Sequence, residues 1–238
     1  MAEPLRAALV SRTPLCEGIV DLRFSLIAPS TIKFAAGQFV TLSVGQDERG
    51  IDLRRSYSIA SPSHEAHTLR FILRLVPGGP GSDFFERLPL GAEVAMTGPH
   101  GFFVLAPRHA GDVVFGATGT GIAAVLPMLG ELAARQEDGR RFVYWGLRHE
   151  RDLFLREEIE AACAVAGAEL SIHLSQPEGP WHGPRGRITA AILAALPSLV
   201  APTFYLVGNG LMITELKREL VSRGVERKKQ IRTESFFD

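Results

Sequence analysis

The chain changes rhythm once, near Pro107 to Asp112, and that change limits its fold more than any other feature. Before it, short apolar or alternating runs are separated by clusters of Gly, Pro, Asp and Ser. These runs are Gly18 to Ile27, Gln38 to Val44, Tyr57 to Ala60, Leu69 to Val76 and Glu93 to Thr97. Short strands at that spacing, with no long helical period, predict a small antiparallel β-barrel or sandwich. Its one helix is expected from Ser82 or Asp83 to about Leu88. After the change, apolar strands alternate with amphipathic stretches. The strands are Val113 to Phe115, Phe142 to Leu147, Glu169 to Leu174, Phe204 to Val207 and Gln230 to Thr233. The stretches are Ala123 to Ala134, Leu153 to Ala166, Ile188 to Leu196 and Leu211 to Ser222. Leu216 and Leu220 fall one turn apart in the last of them, and Gly224 stands where a helix stop belongs. Such alternation predicts an α/β, doubly wound parallel sheet. The 238 residues therefore divide into a barrel domain, 1–107, and an α/β domain, 108–238, each large enough for its own core.

Charge and composition exclude several function classes. Twenty-six Lys and Arg face twenty-six Asp and Glu, so no nucleic-acid partner is expected. No apolar run approaches the roughly 20 residues that span a bilayer, so no membrane insertion is expected. Met1 to Val10 carries Glu3 and Arg6 and has no signal-peptide core, which predicts a cytoplasmic protein. The two cysteines, Cys16 and Cys163, cannot by themselves supply the four thiolates of a plant-type two-iron, two-sulfur cluster. Iron–sulfur chemistry, if involved, is expected on another polypeptide. Both thiols read as small buried hydrophobes. The seven histidines show no metal-ligand spacing, and no metal site is expected.

Three segments carry residues suited to chemistry. Arg55-Ser56-Tyr57-Ser58 begins a strand. An Arg grips phosphate bidentately, a Tyr stacks on a flat ring, and a Ser hydroxyl bonds a ring nitrogen. Strand alternation puts Arg55 and Tyr57 on one face and Ser58 on the other, so only a twist or bulge would bring all three to one ligand. Taken alone, the same residues also read as a solvated Arg beside an ordinary strand Tyr. Arg74 to Ser82 runs through Gly78-Gly79-Pro80-Gly81. Glycines there let the backbone approach a ligand, and Ser82 would open a helix whose free amides suit a pyrophosphate. A Gly-rich hairpin turn with a Ser cap is the other reading. Gly116 to Gly121 follows one strand and precedes a helix, the placement in which amides receive a dinucleotide phosphate. The spacing is not the dehydrogenase G-x-G-x-x-G, and Trp145-Gly146-Leu147-Arg148 offers no acidic residue at the end of the next strand.

In this order the segments resemble the ferredoxin–NADP reductase superfamily, whose barrel binds FAD and whose α/β domain binds NAD(P)H. Arg55-Ser56-Tyr57-Ser58, continuing to Ile59, looks like its flavin motif. There the Arg holds the pyrophosphate, the Tyr packs on the isoalloxazine and the Ser bonds N5. Arg74, Gly81 and Ser82 are the further flavin-side positions. Gly98 to Leu105 resembles the segment that closes the flavin domain. Thr118-Gly119-Thr120-Gly121 resembles the nicotinamide-nucleotide loop, and Val207-Gly208-Asn209-Gly210 the later loop bordering the nicotinamide. Thr233-Glu234-Ser235-Phe236-Phe237 looks like the acidic-aromatic ending that lies against the flavin. Within the superfamily, the likeness is divided between stand-alone bacterial ferredoxin or flavodoxin reductases and phenol-hydroxylase-type oxygenase reductases. Departures are Val207 where many members have Cys, Ala124 where many have Pro, and Ser175-Gln176-Pro177 where NADP-specific members place an Arg. Arg148, Arg185 and Arg187 are the remaining cations for a 2′-phosphate.

The resemblance implies an FAD enzyme oxidising NADH or NADPH, with Ser58 and Glu234 as its catalytic residues. Phe236 or Phe237 covers the flavin face where nicotinamide docks. The implied acceptor is a ferredoxin, flavodoxin or oxygenase component. A flavin reductase that releases its flavin is a second reading, and a non-catalytic nucleotide-binding sensor or interaction subunit is a third.

Overall fold

The computed structural model describes residues 3–135 and 137–236. The chain divides into two units, Met1–Val104 and Leu105–Asp238.

The first unit holds β1 (Glu3–Cys16), β2 (Ile19–Ala28), β3 (Phe39–Gln46), β4 (Asp52–Ser58), β5 (Thr68–Arg74), α1 (Pro80–Arg87) and β6 (Glu93–His100). The strands form one antiparallel sheet in the order β4-β3-β6-β1-β2-β5. Just past β4 the Ala60 amide donates to the Arg70 carbonyl of β5 at 2.8 Å. The two edges of the sheet therefore meet there and the sheet curls into a barrel. Alternate residues fill it, among them Leu22, Phe24, Val40, Leu42, Leu69 and Phe71, and α1 adds Phe85. Asp21 is also buried, paired with the Arg70 guanidinium at 2.8 Å.

Three features depart from the sequence reading. The 14-residue β1 is not anticipated by it at all. Register shifts between Arg6 and Ala7, Leu9 and Ser11, and Pro14 and Cys16 interrupt its pairing with β2. Each bulge breaks the period-2 pattern by which a strand is recognised. β4 runs Asp52–Ser58 rather than Tyr57 to Ala60, because it is an edge strand whose Arg54, Arg55 and Ser56 are exposed. α1 begins at Pro80 with Gly79 as its cap, so Ser82 does not open the helix. A proline suits the first helical position because its missing amide would have no helical acceptor.

The second unit holds β7 (Val113–Thr118), α2 (Ile122–Ala133), β8 (Arg141–Leu147), α3 (Arg156–Val165), β9 (Ala168–Leu174), α4 (Ile188–Ala195), β10 (Thr203–Asn209), α5 (Gly210–Ser222), α6 (Arg227–Gln230) and β11 (Ile231–Phe236). Its parallel sheet has the order β11-β10-β7-β8-β9. Val114, Phe204 and Leu206 pack against Ile188 and Ile192 of α4 and Met212 and Leu216 of α5. The alternate residues Phe115 and Tyr205, stacked at 5.2 Å, leave the opposite face. α3 starts at Arg156, later than the periodicity predicts, because Leu155 just before it stands in the left-handed region at φ +46°. α5 stops as expected. Gly224, at φ +90°, sends its amide to Val221, and Val225 sends its amide to Leu220.

After β9 the chain returns to place β10 on the far side of β7. The order reverses between β7 and β10, and ligands of such sheets bind outside the strand ends at that point.

Candidate functional site

In the first unit, β4 and the first turn of α1 form a cradle. Gly81 lies against β4 so closely that an added Cβ would fall on the Tyr57 hydroxyl and meet Arg55 Cγ at 3.4 Å. Only a glycine lets helix and strand approach there. By the geometry of a helix start, the Gly81 and Ser82 amides have no intrahelical acceptor. The Arg55 side chain is exposed beside them and donates to the Arg54 carbonyl at 2.8 Å. A guanidinium and two helix-start amides suit a phosphate. The half-buried Tyr57 sets its ring edge-on to Phe85 at 5.1 Å. Burial pushes its hydroxyl up to about 12, against the opposing pull of Arg55, so it stays protonated. Ser82 is buried, and its hydroxyl accepts the Val76 amide at 2.6 Å. It ties the preceding loop to α1 instead of capping the helix.

The pairing of β4 with β3 is unbroken from Arg55 to Ser58, and its one shift lies between Ser43 and Gln46. No bulge turns Ser58 toward Arg55 and Tyr57. Ser56 and Ser58 leave the other face, where the Ser56 and Thr41 hydroxyls bond at 3.0 Å. Ser58 is half-buried at the last position of β4, and Ile59, buried just beyond it, donates to the Gln38 carbonyl. Arg74 is exposed at the end of β5, opposite Ile19.

In the second unit the expected residues gather at the carboxyl ends of β7, β10 and β11. Thr118 ends β7, and Gly119–Gly121 forms a 3-10 turn into α2. The Asn209 amide donates to Thr118 Oγ1 at 2.8 Å, while Asn209 Oδ1 caps α5 through the Met212 amide at 2.9 Å. Gly208, at φ +114°, has no room for a Cβ, which would collide with Thr118 Oγ1. A Cβ on Gly121 would meet the Val207 carbonyl at 2.9 Å. The two loops thus touch through backbone at the switch point. β11 runs beside them, with Val207 opposite Glu234 and Asn209 opposite Phe236. Burial raises the Glu234 carboxyl above its ordinary value, the direction that favours a carboxyl holding a proton. Phe237 lies outside the described residues.

Arg148 is exposed just past β8, and its carbonyl accepts the Gln176 amide at 2.8 Å. Sequence reasoning missed the part played by Trp145. This fully buried indole donates to the Gly119 carbonyl at 3.0 Å, and an aromatic within an apolar strand carries no signal of such a bond. Among the described residues no group of His, Cys, Asp and Glu could hold a metal ion. No helix there is long and apolar enough to cross a membrane.

Comparison with known proteins agrees with both halves. Residues 6–105 match the family of oxidoreductase FAD-binding domains, and residues 115–218 that of oxidoreductase NAD-binding domains. Ferredoxin–NADP reductase B of Sorangium cellulosum is 32% identical over 236 residues, covering 95% of this chain and 96% of that protein. The phenol 2-monooxygenase reductase component DmpP of Pseudomonas sp. is 30% identical over 192 residues. That match takes in 79% of this chain and 52% of DmpP, so the chain spans about half of that longer relative. The crystal structure of the Amycolatopsis cytochrome P450 reductase GcoB superposes with a TM-score of 0.87 at 26% identity, over 99% of this chain and 70% of that one. With its FAD-binding barrel and NAD-binding sheet, the chain belongs to the ferredoxin–NADP reductase superfamily.

Proposed function

We propose that the protein oxidises NADH or NADPH through FAD and passes the electrons to a separate one-electron protein carrier: a ferredoxin, a flavodoxin or an oxygenase component. The observation that carries this reading is that one chain holds both the Arg55–Gly81 phosphate cradle and the Thr118–Asn209 clamp at the switch point. FAD would supply the conversion of a two-electron hydride donor into single-electron delivery. Arg55 and the Gly81 and Ser82 amides hold its pyrophosphate, and Tyr57 offers its ring system an aromatic wall. Ser58 presents a hydroxyl at the end of β4 to the reacting ring. The amides of the Thr118–Gly121 loop take the nicotinamide nucleotide's phosphates. Glu234, with its raised pKa, holds or moves a proton there, and Phe236 shields the same strand end.

Names of relatives support the acceptor. Ferredoxin appears in one and oxygenase systems in others, and two cysteines are too few thiolates for a cluster formed by this chain alone. Gln176 and Pro177 offer no charge to a 2′-phosphate, so NADH is taken as the preferred donor; the location proposed, as a separate matter, is the cytoplasm.

The test is an absorbance spectrum of the desalted protein, followed by stopped-flow reoxidation. A retained flavin band should bleach with NADH and return fastest with a ferredoxin, flavodoxin or oxygenase component. A colourless protein active only with added flavin would instead make it a flavin reductase. A band that neither nucleotide bleaches would make it a non-catalytic binder.

A further inference from the structure

Trp145 lies in the middle of the sheet, beside Ala117 of β7 and Ile172 of β9, and no part of it reaches solvent. Its ring packs edge-on against buried Phe154 at 5.1 Å. Packing accounts for a large apolar ring in that place, but not for the direction of its one polar atom. The indole N–H is aimed out of the core at the carbonyl of Gly119, at 3.0 Å. Gly119 sits at φ +54° and has nothing within 4 Å of where a Cβ would be, so no steric contact on that side holds its peptide plane. The indole bond adds a side-chain hold on the carbonyl to the backbone geometry of the 3-10 turn.

A trans peptide is planar, and its C=O and N–H point in opposite directions. Holding the Gly119 carbonyl down onto Trp145 therefore turns the Thr120 amide up, away from the sheet and out of the loop. We propose that Trp145 is a positioning residue for the nicotinamide nucleotide, fixing the Gly119–Thr120 peptide so that the Thr120 amide donates to a nucleotide phosphate. This rests on the reading of residues 118–121 as the phosphate loop. If the plane turned over, the Gly119 carbonyl would face the phosphate, replacing a donor with a repelling oxygen. Trp145 acts on affinity in this scheme and does not touch the reacting atoms.

Calorimetric titration of the FAD-bound protein with ADP-ribose, which carries the phosphates but no nicotinamide, tests the proposal. Trp145→Phe keeps a ring in the slot and removes only the donor. It should weaken ADP-ribose binding about 3- to 10-fold, the range for one neutral hydrogen bond. KM for NADH should rise in step while kcat at saturation stays unchanged. Phe154→Leu loosens the same packing without touching the N–H and should leave binding within about 2-fold of wild type. Thr120→Pro deletes the amide itself and should cost about as much as Trp145→Phe, with no further loss when the two are combined. If Trp145→Phe does not fold, Thr120→Pro against Phe154→Leu carries the comparison. Wild-type affinity in Trp145→Phe, equal loss in Phe154→Leu, or additive losses in the double variant would each overturn the role. A wild-type protein that binds no ADP-ribose would instead remove the phosphate-loop reading on which the role depends.

Discussion

Gly81 stands where any other residue would drive a carbon into the Tyr57 hydroxyl, so strand β4 and helix α1 make one cradle only because a side chain is missing. Arg55 and Tyr57 lie on one face of β4 and Ser58 on the other, with the register unbroken between them. A ligand bound by all of them must be long enough to run from the Arg55–Tyr57 face past the strand end to Ser58. In the proposed reading Ser58 faces the reacting ring, and among the described residues its hydroxyl makes no hydrogen bond that its loss would break. Ser58→Ala should retain FAD and slow single-turnover flavin reduction by roughly 10- to 1,000-fold, the loss expected of one polar group at a reacting centre. Stopped-flow reduction by NADH checks this, and a wild-type rate with flavin still bound would refute it.

At the scale of elements, the β10–α5 connection sets the carboxyl-end geometry of the second unit, where the nucleotide is proposed to bind. Gly208 adopts a left-handed φ of +114° in contact with Thr118, and Asn209 then bonds Thr118 and caps α5. Gly208→Ala would strain the backbone and push Thr118 aside, displacing the loop that α2 follows. KM for NADH should rise at least about 10-fold, as a strained backbone and a steric clash together cost more than 1.4 kcal/mol. Steady-state kinetics would show it, while the FAD content, set by the other unit, stays at the wild-type level. Helices α2, α4 and α5 were legible from their apolar periodicity to within a residue at each end. β1 was not, because three register shifts break its alternation. The start of β4 was hidden because an edge strand need not be apolar.

For the whole molecule, the most telling charge is remote from the cofactor residues. Asp112 is buried ahead of β7 and accepts from the Arg140 side chain at 2.6 Å and from the Arg140 and Val200 amides at 3.0 Å. It thereby joins the approaches to β7, β8 and β10. Burial pushes this carboxyl up, but the Arg140 and amide hydrogen bonds outweigh it and hold the pKa below the ordinary value. Glu137 behaves alike, with burial outweighed by its bond to His109 at 2.6 Å. A carboxylate whose pKa is depressed by folding stabilises the protein above its unfolded value, near 4, and loses that contribution as pH falls through the lower folded value. Stability from this pair should thus be level between about pH 5 and 8 and decline below about pH 4. Asp112→Asn should cost about 2 kcal/mol at pH 7, or roughly 4 to 8 °C in Tm. Its difference from wild type should shrink in acid. Thermal melts from pH 7 down to pH 3 measure both, and a difference that is constant with pH would contradict the assignment.

By itself the sequence determined the two-unit plan, the succession of strands and helices in the second half, and the short segments suited to phosphate and ring binding. Those depend on periodicity and on residue chemistry within a few positions, which a linear chain displays directly. Only the tertiary structure decided which of them meet. Gly81 became part of the Tyr57 site by helix–strand contact, Ser82 lost its capping role to the Val76 amide, and Glu234 came beside Val207 through parallel pairing of β11 with β10. Trp145 acquired its bond to the Gly119–Gly121 turn in the same way, 26 residues from Gly119. A hydrogen bond across that separation depends on the register between neighbouring strands, and local sequence carries no record of that register.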